Sequence, residues 1–165
     1  MGFYTEGKKK EKEFGNLVGV SQSDYANENQ DMFEHWDLIY NDKKTDVKGM
    51  KKLRRDNPMV NEDWHWIELK NVNGDNGWLY GKAEQFAFET YNYWVIVPQD
   101  KLLKFVETHI IKKENEYGIR KPFYIYNRYG RKDEIMALKT LNLMSIASEI
   151  IEKDNFYTYP NVEFI

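Results

Sequence analysis

Three charged side chains lie close together in a short segment whose sequence predicts a β-hairpin. Asp37 lies on the first expected strand, and Asp46 and Lys48 lie two residues apart on the second. Side chains alternate between the faces of a strand, so Asp46 and Lys48 project from the same face. Two carboxylates and an ammonium group that converge at a hairpin can bind a divalent cation and a phosphodiester. Phosphodiester hydrolysis is therefore the leading hypothesis for this segment.

The order of the predicted elements places this hairpin in a mixed α/β domain. Residues 10–17 predict a short helix, and a second helix is expected from Ser21 or Ser23 to about residue 33. The later predicted elements are strands at 36–40, 45–50 and 64–70, a short helix at 82–89, a strand at 93–97, a helix after Pro98, a hairpin at 123–127 and 133–138, and a closing helix at 144–152. This order indicates one domain over residues 1–165, with a central mixed β-sheet flanked by helices. Residues 1–9 are expected to be a mobile, basic lead-in.

The composition excludes several kinds of functional site. The chain has no cysteine, which rules out disulfides, thiolate zinc sites, iron–sulfur clusters and cysteine nucleophiles. The spacing of the three histidines, His35, His65 and His109, gives no local support for a histidine metal site. No apolar run approaches the roughly 18 residues of a membrane span, and the N-terminus lacks a signal-peptide core. We therefore expect a soluble, intracellular protein with no membrane partner.

Basic residues are concentrated in a few segments, although the net charge of the chain is −3. Seven lysines and arginines lie between Lys43 and Arg55, against a single acid, Asp46. Such a run is often only a solvated surface, but a protein that binds phosphates needs basic side chains beside its carboxylates. The run therefore favours a partner that carries phosphates. Its candidate contacts to substrate are Lys43, Lys44, Lys51 and Lys52.

Asp37 and the triplet Asp46-Val47-Lys48 resemble the sequence pattern of the PD-(D/E)XK nuclease superfamily, which includes many restriction endonucleases and archaeal Holliday-junction resolvases. In that pattern, an acid on one strand is followed by an acid, any residue and a lysine on the next. Trp36 stands here in place of the nominal proline. The resemblance covers about residues 10–112 in element order. It implies a restriction-endonuclease-like core, similar to that of small and often phage-encoded nucleases.

The resemblance implies a metal-dependent endonuclease that hydrolyses DNA. Asp37, Asp46 and the backbone carbonyl of Val47 would bind Mg²⁺, or Mn²⁺ as a substitute, and Lys48 would orient the attacking water and contact the scissile phosphate. Glu13, on the preceding helix, would bind a second metal or orient metal-bound water. In-line attack would leave a 5′-phosphate. Further candidate contacts to substrate are Glu68, Lys82 and Gln85, and a homodimer is the default expectation because many such nucleases cut both strands.

Several of these features have plainer explanations. The charged groups of the hairpin fit an ordinary ladder of surface ion pairs. The same scaffold fits a nucleic-acid-binding protein without catalysis, and an unrelated structural or interaction protein is a third possibility. Trp64, Trp66 and Trp78 can stack nucleobases, but packing in an aromatic core is the plainer expectation.

Overall fold

The strands of the chain form two β-sheets, and helices pack against them. The structure is a computed structural model that describes residues 2–109 and 123–154. Its α-helices are α1 (Gly2–Val18), α2 (Gln99–His109) and α3 (Thr140–Ser145). Its strands are β1 (Leu38–Tyr40), β2 (Lys43–Lys48), β3 (Trp64–Lys70), β4 (Gln85–Glu89), β5 (Tyr93–Pro98), β6 (Ile125–Tyr126), β7 (Glu134–Lys139) and β8 (Glu149–Glu152). No helix in the described part is long and apolar enough to cross a membrane.

The larger sheet has the strand order β1-β2-β4-β5-β8. β2 and β4 are parallel, whereas the other neighbouring strands are antiparallel, so the sheet is mixed. The hairpin β1–β2 turns at Asn41 and Asp42, whose φ angles are 50° and 58°. Two positive φ angles are typical of the tight turn that joins two-residue hairpins. The prediction of an α/β domain with a central mixed sheet is confirmed at this level.

The smaller sheet has the order β3-β7-β6 and is antiparallel throughout. The predicted strand at 64–70 is confirmed as β3, and the predicted hairpin at 123–127 and 133–138 is confirmed as β6–β7. Alternate residues of β3 and β7 join the main core, where Ile67, Met136 and Leu138 pack with Phe86 and Val95 of the larger sheet. The two sheets therefore share one face-to-face core.

Helix α1 covers the other face of the larger sheet. Phe14 is fully buried there, with its ring 5.1 Å from that of Trp94 and 5.6 Å from that of Tyr40. The prediction that residues 1–9 are a lead-in was wrong in its boundary, because the helix begins at Gly2 instead of Lys10. Lysine is a good helix former, and the ion pair between Lys10 and Glu13 at i, i+3 adds support on the helix surface.

A buried carboxylate fastens α1 to the centre of the sheet. Glu89, at the end of β4, is fully buried and accepts hydrogen bonds from Lys10 Nζ and Lys153 Nζ, each at 2.8 Å. The backbone N–H of Met50 donates to the same carboxylate at 3.0 Å. Burial would raise the pKa of Glu89, but these donors outweigh it and hold the pKa below its usual range. Residues from α1, β4 and the segment after β8 are thus joined at one point.

Three predicted helices were wrong. Residues 85–89, expected in a helix, form β4, which pairs with β2 and β5 and whose five side chains are all buried. The predicted helix at 144–152 is divided into the end of α3 and the edge strand β8. Residues 21–33 contain only a 3₁₀ turn, Gln22–Asp24, and a π-helical turn that begins at Gln30. At residues 85–89 and 149–152, pairing with neighbouring strands decided the conformation over local propensity.

Truncation of Phe14 tests whether α1 is fastened to the sheet by its apolar face. We expect Phe14→Ala to lower the free energy of unfolding by about 3–5 kcal/mol, because it leaves a cavity between Trp94 and Tyr40. Lys12→Ala, an exposed change on the same helix, is the matched control and should cost less than about 0.5 kcal/mol. Urea denaturation measures both. Equal stabilities of the two variants would contradict the packing described above.

Candidate metal centre

Two buried carboxylates lie side by side at the hairpin β1–β2. Asp37 directly precedes β1, and its Oδ2 accepts a hydrogen bond from the backbone N–H of Val47 at 2.7 Å. Asp46 is on β2, next to Val47, and its carboxyl contacts that of Asp37. Only 6% of Asp37 and 4% of Asp46 is exposed. The structure therefore brings together the two acids that the sequence predicts as metal ligands.

Lys48 lies next to this pair, as predicted from its position on β2. Its Nζ is 2.8 Å from Oδ2 of Asp46 and 4.3 Å from the centre of the Trp78 ring. The ammonium group is thus held between a carboxylate and an aromatic face. The ion pair is not aligned as a hydrogen bond, and the buried Oδ2 of Asp46 has no hydrogen-bond partner among the described residues. A buried acceptor without a partner is costly unless something else binds it.

Glu11 and Asp31 bring two further carboxylates to Asp37. One oxygen from each of Glu11, Asp31 and Asp37 lies within 4.8 Å of the other two. Glu11 comes from α1 and Asp31 from the π-helical turn Gln30–Glu34. Lys8 Nζ contacts Glu11 at 3.1 Å and Asp31 at 2.8 Å, which neutralises part of this charge. The described residues thus supply an oxygen-rich group of the kind that binds hard divalent cations.

The glutamate that α1 brings to this group of carboxylates is Glu11, and the structure does not bring the predicted Glu13 to it. Glu13 is exposed and pairs with Lys10. On a helix with 100° per residue, Glu11 lies on nearly the same face as the buried Phe14, three residues later, whereas Glu13 does not. That spacing was readable in the sequence. Asp31 had no such signal, because no regular spacing links a π-helical turn to a strand.

Crowding of the acids changes their protonation. Burial, together with the charge of Asp46, raises the pKa of Asp37 to about 8, against the opposing charge of Lys48. Burial and the charge of Asp37 raise the pKa of Glu11 to about 7. Burial also raises the pKa of Asp46, although Lys48 opposes it. Without a cation, the centre therefore holds protons near neutral pH, and a bound cation would displace them.

The centre opens into a cleft of about 610 Å³ between the two sheets and α1. Lys51 lies at this cleft, where desolvation and the charge of Lys48 lower the pKa of its ammonium group. Glu68 of β3 also lines the cleft, and its Oε1 accepts a hydrogen bond from the backbone N–H of Trp78 at 3.3 Å. The structure thus places two of the predicted substrate contacts, Lys51 and Glu68, beside the carboxylates.

Other predicted contacts lie away from the cleft. Glu34 binds Lys82 Nζ at 3.2 Å and is 4.0 Å from Lys44 Nζ, so one acid neutralises both lysines. Lys43 and Lys52 are exposed and do not line the cleft. The structure does not bring these four lysines to the carboxylates.

Gln85, a predicted substrate contact, does not line the cleft, and the helix predicted to carry it is the strand β4. It is buried on β4, where its Nε2 donates to the backbone oxygen of Tyr40 at 3.0 Å and to Oγ1 of Thr45 at 2.8 Å. Gln85 pairs with Thr45 across the parallel strands, so both lie on the face opposite to Asp46. The amide thus ties the hairpin to the sheet.

His65 is a cleft residue that the sequence analysis did not select. Its ring packs edge-on against Phe88 with the ring centres 5.2 Å apart, and Nε2 is buried without a hydrogen-bond partner in the described chain. Burial lowers the pKa of His65 to about 4, against the charge of Glu89, so the ring is neutral at physiological pH. The alternation of β3 places His65 on the apolar face with Ile67, which was the only signal in the sequence.

Comparison with known proteins identifies no relative. No protein-family model, curated protein or solved structure matches the chain. The site must therefore be interpreted from its own geometry.

Neutralisation of Asp37 should stabilise the metal-free protein at alkaline pH. A carboxyl whose pKa is about 8 when folded and 3.8 as a model value contributes stability at low pH that is lost as the pH rises towards 8. We expect Asp37→Asn, which can still accept from Val47 N–H, to raise the unfolding free energy by roughly 1–3 kcal/mol at pH 8.5 and less at pH 5.

Thermal unfolding in EDTA at the two pH values measures this difference. Asp42→Asn, at the exposed hairpin turn, is the matched control and should show no such dependence on pH. A lower stability of Asp37→Asn at pH 8.5 would show that the Asp37 charge is favourably compensated in the metal-free fold.

Proposed function

We propose that this chain is a metal-dependent endonuclease that hydrolyses DNA phosphodiester bonds on a restriction-endonuclease-like core. The observation that carries the proposal is the meeting of Asp37, Asp46 and Lys48 with Glu11 in one cleft. The spacing of acid, acid and lysine on two adjacent strands is the pattern that the sequence resembles. The carboxylate on a preceding helix, which the resemblance also implies, is supplied by Glu11.

The residues at the centre fit a hard divalent cation. Asp37, Asp46, Glu11 and the backbone carbonyl of Val47 would hold it, with Asp31 nearby, and all of these ligands are oxygen atoms. The buried Oδ2 of Asp46 has an ion pair with Lys48 but no aligned hydrogen bond, and the raised pKa values of Asp37 and Glu11 describe acids that lack sufficient positive charge. Such ligands suit Mg²⁺ or Mn²⁺ better than zinc. When bound, the cation would activate water and offset charge on the phosphate.

Lys48 has the position to orient both reactants. Its Nζ lies at the carboxylates and is held by the Trp78 ring, so it can donate to an attacking water and to a phosphate oxygen from one fixed place. In the reaction, the water oxygen bonds to phosphorus while the bond from phosphorus to the 3′ oxygen breaks. The products are a 5′-phosphate and a 3′-hydroxyl, and the 3′ oxygen takes up a proton that the water supplies. The lysine's preorganised charge would stabilise the transition state.

The plainer alternative is a structural set of ion pairs. Taken by itself, the contact between Lys48 and Asp46 fits this alternative, because it is an ordinary ion pair between two residues of one strand. The other three carboxylates do not, because Glu11 and Asp31 share one lysine, Lys8, while Asp37 lies beside them, and like charges brought together destabilise a fold. Groups that are retained despite such a cost are typical of functional sites. A homodimer and an intracellular location stay predictions from the sequence.

Metal binding tests whether Glu11, and not Glu13, is a ligand of the cation. We expect Mn²⁺ at saturating concentration to raise the melting temperature of the wild type and Glu11→Gln to weaken Mn²⁺ binding by about tenfold or more. Glu13→Gln, two residues away on the exposed side of α1, is the matched control and should bind as the wild type does. Isothermal titration calorimetry measures the affinities. Equal losses in both variants, or none in either, would contradict the assignment of Glu11.

DNA cleavage tests the proposed activity directly. We expect cleavage of DNA with Mg²⁺ or Mn²⁺ and none in EDTA, and we expect Lys48→Ala or Asp46→Asn to lower the rate by about 100-fold or more. Lys70→Ala is the matched control, because Lys70 pairs with Glu134 on the surface of β3. Salt-sensitive binding without cleavage would favour the non-catalytic nucleic-acid-binding alternative. Absence of both binding and cleavage would remove nucleic acid as the partner.

A further inference from the structure

Two tryptophans of β3 line the cleft next to the carboxylates. Trp64 and Trp66 are half-buried, and both lie on the strand face opposite to the core residues Ile67 and Leu69. Among the described residues, the hydrophobic core clusters include Trp78 but neither Trp64 nor Trp66. The plainer expectation of core packing therefore holds for Trp78 alone. Trp64 and Trp66 instead contribute to the lining of the cleft.

The spacing of these two rings suits successive unpaired bases. Residues i and i+2 of a strand are about 6.6 Å apart on one face. An aromatic pair on the open face of a sheet is a recurring way to stack unpaired nucleotides, and each stacked base contributes about 1–3 kcal/mol whatever its sequence. A paired base offers its faces only to its neighbours in the stack, so a duplex cannot use this wall without being opened.

The enclosure of the carboxylates favours the same kind of substrate. Glu11, Asp37 and Asp46 are each more than nine-tenths buried, so a phosphate must enter the cleft to meet them. A volume of about 610 Å³ is within the range of pockets that enclose small ligands. A flexible single strand can bend one phosphate into such a space, whereas the phosphates of a duplex are fixed to a stiff rod.

Lysines at the cleft supply the charge for a backbone that follows the tryptophans. Lys9 and Lys51 line the cleft together with Lys48. Lys139, on the neighbouring strand β7, has its Nζ 5.5 Å from the centre of the Trp64 ring. Stacking platforms with adjacent cations are typical of proteins that bind single-stranded nucleic acid without sequence preference.

We propose that the substrate of this site is single-stranded DNA, or the unpaired stretch of a larger DNA, with bases stacked on Trp64 and Trp66 while a phosphate enters the cleft. The inference rests on the proposed function for the cleavage step. The binding step is independent of that function. The inference names a form of substrate that the pattern of acids and lysine leaves open. It also predicts cleavage that depends little on the DNA sequence.

Binding is measured in EDTA, where no cleavage occurs. Oligo(dT), a duplex of the same length and oligo(U) are titrated into the wild type, and quenching of tryptophan fluorescence and fluorescence anisotropy are recorded. We expect quenching by oligo(dT) and at least tenfold weaker binding of the duplex. Equal affinity for the duplex would overturn the inference, and so would tighter binding of oligo(U).

Variants test the two tryptophans. We expect Trp64→Leu and Trp66→Leu each to weaken oligo(dT) binding by about tenfold, with Mn²⁺ binding unchanged. Tyr129→Leu is the matched control, because Tyr129 is 92% exposed and does not line the cleft. Trp64→Phe and Trp66→Phe retain a ring and should bind between the Leu variants and the wild type, which separates stacking from a loss of folding. Wild-type binding by both Leu variants would overturn the inference.

Cleavage assays separate this inference from the proposed function. If oligo(dT) binds with quenching but no DNA is cut with Mg²⁺ or Mn²⁺, the substrate form stands and the nuclease proposal fails. If duplex and single strand are cut at equal rates and the tryptophan variants cut as the wild type does, the nuclease proposal stands and the inference fails.

Discussion

The packing of Phe14 between Trp94 and Tyr40 fixes how α1 lies on the larger sheet, and the carboxylate centre depends on it. Glu11 is three residues before Phe14 on nearly the same helix face, so the burial of the ring brings the carboxylate to Asp37. The ion pair of Lys10 with the buried Glu89 fastens the same turn of helix to the end of β4. Hydrophobic burial supplies most of the energy, and the ion pair adds a fixed position.

The cleft holds a group of acids whose charges are only partly compensated in the metal-free protein. Burial and mutual repulsion raise the pKa values of Asp37, Asp46 and Glu11, and their compensation within the described chain is limited to Lys8, Lys48 and one backbone N–H. Glu89 makes the contrast clear, because it is as deeply buried but has two lysines and an N–H, and its pKa is lowered. The fold is thus able to satisfy a buried acid fully. It does so at Glu89 and not at the neighbouring Asp37, Asp46 and Glu11.

Secondary structure was predicted well where one face of an element is exposed. The alternation of residues 64–70 and the amphipathic stripe of α2 both gave the correct type and nearly the correct ends. Residues 85–89 failed because β4 is buried on both faces, so its side chains have no alternation that distinguishes a strand from a helix. Residues 149–152 failed for a different reason: they are a strand only because β5 offers an edge to pair with.

The sequence by itself determined the hairpin and the faces of its side chains. Two positions on one strand have a fixed relation, so Asp46 and Lys48 had to share a face, and a tight turn had to bring Asp37 beside them. The tertiary structure alone decided which other groups join them, because Glu11, Asp31 and Trp64 lie 15 to 35 residues from Asp46 along the chain and meet it only through packing. Local spacing is set by backbone geometry, whereas the rest of the cleft is set by burial of apolar faces. No fixed spacing in the sequence shows which apolar faces will pack together.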